Sequence, residues 1–510
     1  MKIFKKDNQV FIISLLVTFL IVIISIIIPT KFNDYATNTY NFLSKYFGWL
    51  YLIVMLFFVV FILILACTKY GNIRLGKDDS KPEFTTTSWF AMLFGAGMGI
   101  GLVFWGVAEP MSQFVSGAFG IKPGSKEAAN FAMKVSFMHW GIHPWANYSI
   151  IGLALAYFQF RKDKPGLIST IFIPLIGEDK VKGPIGKTID ILAVFATVAG
   201  VATSLGLGTL QINSGLNYVF NLPQTRFIQI GIIAIITVIY IWTAVSGIEK
   251  GIKVLSDINL WLAFLLVTIV FLIGPKLKII NLFTNGIGMY INSFIQDSLK
   301  INAFGSNKWI EDWTIFYWAW WIAWAPFVGS FIARISKGRT IREFVIGVIV
   351  APSLASILWF SVFGGLGINL KFIGKLSVQE LKQMSIKPEV ALFDVLKNYP
   401  LATIISLIAV MLLCTFFITS ANSATFVLGI FTSNGDLNPS RNKKIVWGIV
   451  QALLATSLLI AGGLKALQTA SVVAAFPFIF VMIFTCISLL KAFKEEENIK
   501  ENKFLGEKIS

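Results

Sequence analysis

The sequence predicts an all-α polytopic membrane protein, and three observations carry that prediction. The first is composition: 56% of the 510 residues are hydrophobic and 14% charged, with a mean hydropathy of +0.75, too little polar surface for a chain that folds in water. The second is that apolar runs recur along the whole chain, each long enough for a helix to cross a hydrocarbon core of about 30 Å. The third is where the charge lies. A formal net charge of +17 would suggest nucleic acid in a soluble chain, but here Lys and Arg cluster in the connections between apolar runs, where they set topology. Nucleic acid is excluded as a partner on that ground. Cys67, Cys414 and Cys486 sit in apolar runs with no metal-ligand spacing and no disulfide framework, and read as small core residues.

Residues 1–9 form a short tail carrying Lys2, Lys5 and Lys6. The first span, 10–29, is too long for a signal-peptide core and lacks a small-residue cleavage site, so it is expected to be retained. A second span at 48–68 completes an opening pair over 10–68. Five spans follow within 88–274, at 89–114, 129–160, 189–220, 227–246 and 258–274, and five more within 312–490, at 312–335, 344–363, 401–429, 445–463 and 466–490. Twelve transmembrane helices are therefore predicted. The groups Arg161, Lys162 and Lys164, then Arg334, Lys337, Arg339 and Arg342, then Arg441, Lys443 and Lys444 all fall on the side of the N-terminus, which places both termini in the cytoplasm of a plasma-membrane protein. The connection 275–311 is then extracellular. In it Ile287, Tyr290, Ile291, Phe294 and Ile295 keep helical spacing, which reads as an amphipathic helix at the outer interface. Residues 491–510 form a short cytoplasmic tail of mixed charge that includes Glu495, Glu496 and Glu497.

The chemistry concentrates in two aromatic groups. Residues 318–326 read Trp-Ala-Trp-Trp-Ile-Ala-Trp-Ala-Pro, with the indoles toward the middle of an apolar run rather than at its ends, where tryptophan usually sits. At roughly 100° per residue Trp320, Trp321 and Trp324 share one helix face. Ring faces are negative and attract a cation that has no hydrogen bonds to donate, such as quaternary ammonium. The same geometry places Trp140, Trp145 and Tyr148 on one face of the fourth span, and Pro144 should disturb that helix and free a carbonyl. Packing between spans is the competing explanation for either group alone.

The third span carries Gly95, Gly97, Gly99 and Gly101, alternate glycines that weaken a helix by roughly 1 kcal/mol each. Close helix packing explains such a run, and so does a broken helix whose free backbone groups bind a carboxylate and a cation. The spacing is not that of a dinucleotide fingerprint. Gly186-Lys187-Thr188 resembles the end of a phosphate-binding loop, but Val181 stands where the upstream glycine belongs, so ATP is not expected. His139 and His143 lack the glutamate of a catalytic zinc motif. Glu109 and Asp190 lie near span ends and offer little for a proton relay. Hydroxyls of Thr197, Thr203 and Ser204 in the fifth span, and of Thr419, Ser420 and Ser423 in the tenth, are oxygen ligands suited to sodium, or else bond back to their own helices.

The run 97–101 with Glu109-Pro110, the Trp140, Trp145 and Tyr148 group, and the segments 316–321 and 333–336 together resemble the betaine/choline/carnitine transporter family, and its sodium-coupled glycine betaine members above all. The resemblance covers about 48–490. It implies a LeuT-like inverted repeat of five plus five helices preceded by two extra ones, in a homotrimer. It implies a trimethylammonium box of Trp140, Trp145, Tyr148 and Trp321, with Trp320, Trp324 and Phe331 along the inward route. Ser204 and the backbone of Met98, Gly99 and Gly101 would face the substrate carboxylate. One sodium ion would lie among the backbone carbonyls of Gly95, Met98 and Phe416 and the hydroxyls of Thr419 and Ser420; a second would lie near Thr197 and Phe327, although Val201 stands where sodium-coupled relatives carry threonine. Gly101, where proton-coupled choline carriers have aspartate, favours a zwitterion. Asn422 replaces an aspartate common in the tenth-span motif. The expected activity is sodium symport of glycine betaine for osmoprotection, with a sodium-independent carnitine exchanger or a choline transporter as alternatives within the family. A receptor or enzyme for choline-headgroup lipids is the alternative from another class, but no clustered acid, base or metal set points to an enzyme.

Overall fold

A peptide group left unbonded in hydrocarbon costs several kcal/mol, so each crossing must close its own hydrogen bonds as a helix. The computed structural model describes the backbone of residues 8–509 except 98, 247 and 248, and the side chains of 8–499 except 94, 96–98 and 247–253. The principal helices are α1 (Gln9–Ile27), α2 (Pro29–Cys67), α3 (Thr86–Gly97), α4 (Ile100–Val115), α5 (Lys126–Trp140), α6 (Ile142–Ala156) and α7 (Pro184–Phe220). They continue with α8 (Arg226–Val245), α9 (Glu249–Ile273), α10 (Lys276–Asn292), α11 (Phe316–Ile335), α12 (Ile341–Phe372), α13 (Ala402–Phe431) and α14 (Arg441–Ile509). Among the described residues nine helical segments are long and apolar enough to cross a membrane. One isolated bridge, between Arg74 and Thr340, is the only extended pairing among them.

Apolar runs located the helices but not their ends. α2 begins at Pro29, well before the apolar run at 48, because its polar first half contains no breaker and Pro29 occupies the first turn, where a missing N–H is harmless. α12 starts at a capping box, Thr340 accepting from the Glu343 backbone and Glu343 from the Thr340 backbone, and continues through Gly364 and Gly365 to Phe372. The amphipathic segment in 275–311 is divided. α10 ends at Asn292, a short helix follows at Phe294–Ser298, and Tyr290 is buried with its hydroxyl accepting from the Ile142 N–H while Ile291 and Ile295 stay exposed. The final segment is helical rather than a loose tail. Glu496 binds Arg161 and Tyr157, and Glu497 pairs with Lys69. Cys486 is buried, but Cys67 at the end of α2 is exposed, so it is not the core residue expected from its apolar surroundings.

Three breaks shape the interior. Gly99 is extended (φ −131°, ψ −173°) between α3 and α4. Gly141 (φ −91°, ψ −121°) separates α5 from α6. Gly463, at φ +58° and ψ −137°, interrupts α14 in a conformation that only glycine adopts freely. Lys443, before that break, bonds Asn8, and Glu496, after it, binds Arg161, while Lys465 lies by the Tyr40 ring and Asp312. Gly435 against Pro165 ties the Lys443 end to the Arg161 end, so the chain turns back at Gly463.

Within the bundle α7 packs against α13 and α14, α11 against α6, and α12 against α4. The α4–α12 contact leaves no room at Gly106, where an added Cβ would lie 2.5 Å from Trp359 Nε1. Gly106→Leu should therefore overpack this contact at a cost of about 1–3 kcal/mol and lower the apparent melting temperature of the purified protein. Gly231→Ala in α8, where nothing lies within 4 Å, should leave it unchanged or raised.

Candidate functional site

The break at Gly141 places the first aromatic group. Trp140 is the last residue of α5, and Trp145 and Tyr148 lie in the first turns of α6, with Pro144 third in that helix, where its missing N–H leaves nothing unpaired. The rings thus converge across a break, not on the single helix face that unbroken periodicity predicts. The freed His139 carbonyl accepts from Trp321 Nε1 at 2.9 Å, and Asn147 Nδ2 donates to the Trp321 carbonyl at 2.8 Å, tying α11 to both halves of the broken span.

α11 contributes Trp320 and Trp321, stacked at 4.8 Å and 14°. Trp321 stands nearly perpendicular to Trp140 (4.8 Å, 75°) and to Tyr148 (6.3 Å, 83°), and Trp145 meets Tyr148 at 5.6 Å and 87°. They enclose a cavity with about 30 Å³ of free space, lined by these rings with Trp324, Gly99, Gly101, Leu102, Pro144 and Ser356. Among the described residues no acidic side chain lines it, so a cation there would be held by ring faces. The space holds no more than a few waters, so a larger guest must push the rings apart. An added Cβ at Gly101 would lie 2.8 Å from Trp320 and 3.0 Å from Trp140, so any side chain at that position would fill the cavity.

Behind the box lies a residue that sequence reasoning set aside. Glu109 is fully buried, not exposed at a span end, because α4 starts only at Ile100 and carries it inward. Its carboxylate accepts from Trp140 Nε1 at 2.8 Å and from the Tyr317 hydroxyl at 2.6 Å, and meets His139 Nδ1 at 2.6 Å. His139 Nε2 in turn reaches Thr314 Oγ1 at 3.0 Å. An acid inside an apolar run, Glu109-Pro110, was the available signal. Ser356 was also missed; Ser353 and Ser356, one turn apart in an apolar span beside Pro352, could have marked it.

Trp324 also borders a second cavity of about 510 Å³, lined by Phe327, Phe331, Gly95, Thr419, Ser420, Asp257 and Asn259 among others. Gly95, Thr419 and Ser420 of the expected sodium set are thus together. Thr419 Oγ1 accepts from Asn259 Nδ2 at 2.9 Å, donates back to the Thr415 carbonyl at 3.0 Å and lies 3.3 Å from the Phe416 carbonyl. Met98 lies outside the described residues. Three expectations fare differently: Ser204 bonds back to the Gly200 carbonyl at 3.3 Å, Thr197 bonds to Ala193, and neither lines the two cavities, while Phe327 lines the larger one. Gly200 also accepts from Trp324 Nε1 at 2.9 Å, which fixes the ring shared by both cavities. Asn422 bridges to Thr243 of α8, and His143 is stacked between Phe294 and Trp318 with Nε2 on Ser298, while His139 meets the same Trp318 edge-on.

Comparison with known proteins bears on this geometry directly. Residues 9–498 match the betaine/carnitine/choline family of transporters. The glycine betaine transporter OpuD of Bacillus subtilis is 48% identical over 98% of this chain and 96% of its own length. A probable glycine betaine transporter of Desulfitobacterium hafniense is 46% identical over 96% and 98%, and the ectoine/hydroxyectoine transporter of Virgibacillus pantothenticus 45% over 97% and 99%. The chain belongs to the betaine/carnitine/choline transporter family. It is therefore a multi-pass membrane transporter rather than an enzyme, and the aromatic cavity lies in the body of a carrier.

For a transporter of this family the Glu109 network has a measurable consequence. Glu109→Leu strands the Trp140, Tyr317 and His139 donors without an acceptor, and should destabilise the purified protein by about 3–5 kcal/mol, read as early loss of the monodisperse peak on heating. Glu109→Gln, which keeps acceptor and donor atoms in place, should lose much less.

Proposed function

We propose that this family member imports glycine betaine, or a trimethylammonium zwitterion of similar size, together with sodium, by alternating access. The observation that carries the reading is the perpendicular Trp140–Trp321 pair at 4.8 Å, closed by Tyr148 and Trp145 around a buried space with no acid in its lining. Each desolvated ring contributes up to ~2 kcal/mol toward a methylated nitrogen, which loses no hydrogen bonds on leaving water. A primary ammonium would have to give up three. The names of the relatives in Bacillus subtilis and Desulfitobacterium hafniense support the same substrate class.

Leaving out α10 as a helix of the 275–311 connection, counting the broken pairs α3/α4 and α5/α6 as one crossing each, and the arms of α14 on either side of Gly463 as two, gives twelve crossings. The third to seventh and eighth to twelfth of these would form the two inverted halves, with the box between them at mid-depth. The face carrying Arg74, Arg161, Arg334, Arg339 and Lys443 is then cytoplasmic, with both termini, and the connection holding Lys300 and Lys308 extracellular. The larger cavity would be the inward vestibule, with Trp324 and Phe327 at its boundary, and the protein would work as a homotrimer.

Sodium coupling rests on the hard oxygens of Thr419, Ser420 and the Gly95 and Phe416 carbonyls beside that vestibule. The 45% identical ectoine/hydroxyectoine transporter supports a second reading, in which the guest is a cyclic zwitterion that still donates hydrogen bonds. Ser356, a hydroxyl in the box lining, is a group it would use.

Radiolabelled glycine betaine should accumulate in proteoliposomes under an inward sodium gradient and not when potassium replaces sodium. Equal uptake in both would remove sodium coupling, and suppression by ectoine at lower concentration than by unlabelled betaine would favour the second reading. Trp321→Ala, removing a ring worth up to ~2 kcal/mol, should raise KM by about 30-fold in a protein that still inserts and folds. Thr419→Ala with Ser420→Ala should raise the sodium concentration for half-maximal uptake while leaving betaine KM near normal at saturating sodium.

A further inference from the structure

A second aromatic cage stands one helical turn from the first. Phe119, Phe131 and Trp309 meet at 5.1–5.8 Å in T-shaped and tilted contacts, and the Lys300 ammonium lies 3.7 Å from the Phe119 ring centroid and 5.9 Å from that of Phe131. The two cages are built alike. On α4, Glu109 accepts from the indole of Trp140 in the inner box, and Gln113, four residues on, accepts from the indole of Trp309 at 2.7 Å. His139, bonded to Glu109, stacks on Trp309 at 6.2 Å and lies tilted against Tyr317 at 4.7 Å, and Tyr317 stacks on Trp321 at 5.8 Å. Rings therefore run without interruption from the outer cage to the inner one.

Two further features mark the outer cage as more than packing. Phe119 holds φ +55° and ψ +26°, a left-handed conformation costly for a bulky side chain, and this backbone places its ring over Lys300. Lys300 is also a weakly tied cation. The Asp297 carboxylate is engaged by Lys134 at 2.7 Å and by Ser293, and burial pushes the Lys300 ammonium below its usual range, Asp297 opposing that shift. Only about 10 Å³ remains free beside it, so the space is filled by the lysine itself.

Partly buried against the rings, the Lys300 ammonium forgoes some of its hydrogen bonds to water, whereas a trimethylammonium group has none to lose. Exchange of the first for the second is therefore favourable, and the released Lys300 can pair with the carboxylate that a zwitterion brings along. We propose that Phe119, Phe131 and Trp309 form an outer capture cage for the trimethylammonium head of the transported zwitterion, with Lys300 the resident cation that it displaces. The proposal rests on the transport reading above for its substrate and for the outward orientation of this face.

The test separates the two. In full-length protein carrying Trp321→Ala, which disables the inner box, saturation-transfer NMR with tetramethylammonium should detect weak saturable binding. Adding Lys300→Met should tighten it about two- to five-fold, and adding Phe119→Leu with Trp309→Leu should abolish it. With the inner box intact, Phe119→Leu and Trp309→Leu should each raise betaine KM about two- to five-fold at unchanged maximal rate, while Phe119→Tyr, which keeps the ring, should behave as the parent. Absence of tetramethylammonium binding with and without Lys300, or a KM unmoved by both leucine variants, overturns the capture cage while sodium-driven uptake by the parent protein upholds transport. If the parent takes up no betaine yet the Trp321→Ala, Lys300→Met protein binds tetramethylammonium, the transport reading falls and the cage stands.

Discussion

The rest of the structure depends on where a helix can be interrupted in a medium that offers its peptide groups no partner. An interruption frees carbonyls and N–H groups that must be bonded by protein or by a guest, so it survives only where other side chains reach it. Gly141 meets that condition. The His139 carbonyl it frees is taken by Trp321, and Asn147 on the other side of the break returns a bond to the Trp321 carbonyl. The same two bonds that make the break tolerable hold α11 at the distance where its indoles meet Trp140.

The buried acid follows from the box. Rings attract a cation only as far as they are held face-on to it, and an acceptor shared between two rings holds both more firmly than separate neutral bonds would. Glu109 lies at the far edge of Trp140 and accepts from both Trp140 and Tyr317, so the two rings flanking Trp321 share one anchor. Burying a carboxylate is costly, and here the donors of three side chains offset that cost. An acceptor on the outer edge of an indole also enriches its face in electrons, which would strengthen its hold on any cation placed on the opposite side. Position and electronics are served by one residue that does not line the cavity.

Much of this was legible in the sequence, for identifiable reasons. The tryptophans of 318–326 stood out because indole in mid-span has few explanations, and the alternate glycines after Gly95 offered an interruption as one of two explanations, which the extended Gly99 decides. The helices were readable because a long apolar run has to close its own backbone hydrogen bonds. What was not readable depended on three-dimensional meeting of distant segments. Periodicity put Trp140, Trp145 and Tyr148 on one continuous face, whereas the turn at Gly141 brings them together, and Pro144, the suspected cause, sits harmlessly in a first turn. Glu109 was placed at a span end because the start of α4 at Ile100 is not marked by hydropathy. Ser204 and Thr197 left two readings open, oxygen ligand or back-bond, and because the carbonyl four residues back is within reach in a helix both take it, as Thr419 does. Lys300 carried no signal at all, since a lone lysine in a long loop acquires meaning only from the rings that surround it.

Trp324 links the box to the larger cavity and shows how unequal the two exits are. It lines both spaces, and its ring is fixed chiefly by one bond, from Nε1 to the Gly200 carbonyl, with Phe327 perpendicular at 5.8 Å. On the other side, between the box and Lys300, stand His139, Tyr317 and Glu109, joined by hydrogen bonds and stacked rings. Opening toward the larger cavity requires one indole to swing and a single neutral bond to exchange, whereas opening toward Lys300 requires a buried, charge-bearing network to part. Hydrogen bonds to a charged group contribute about 1.5–3 kcal/mol each, against about 1 for a neutral one, so the arrangement seen here favours access from the side of Thr419 and Ser420.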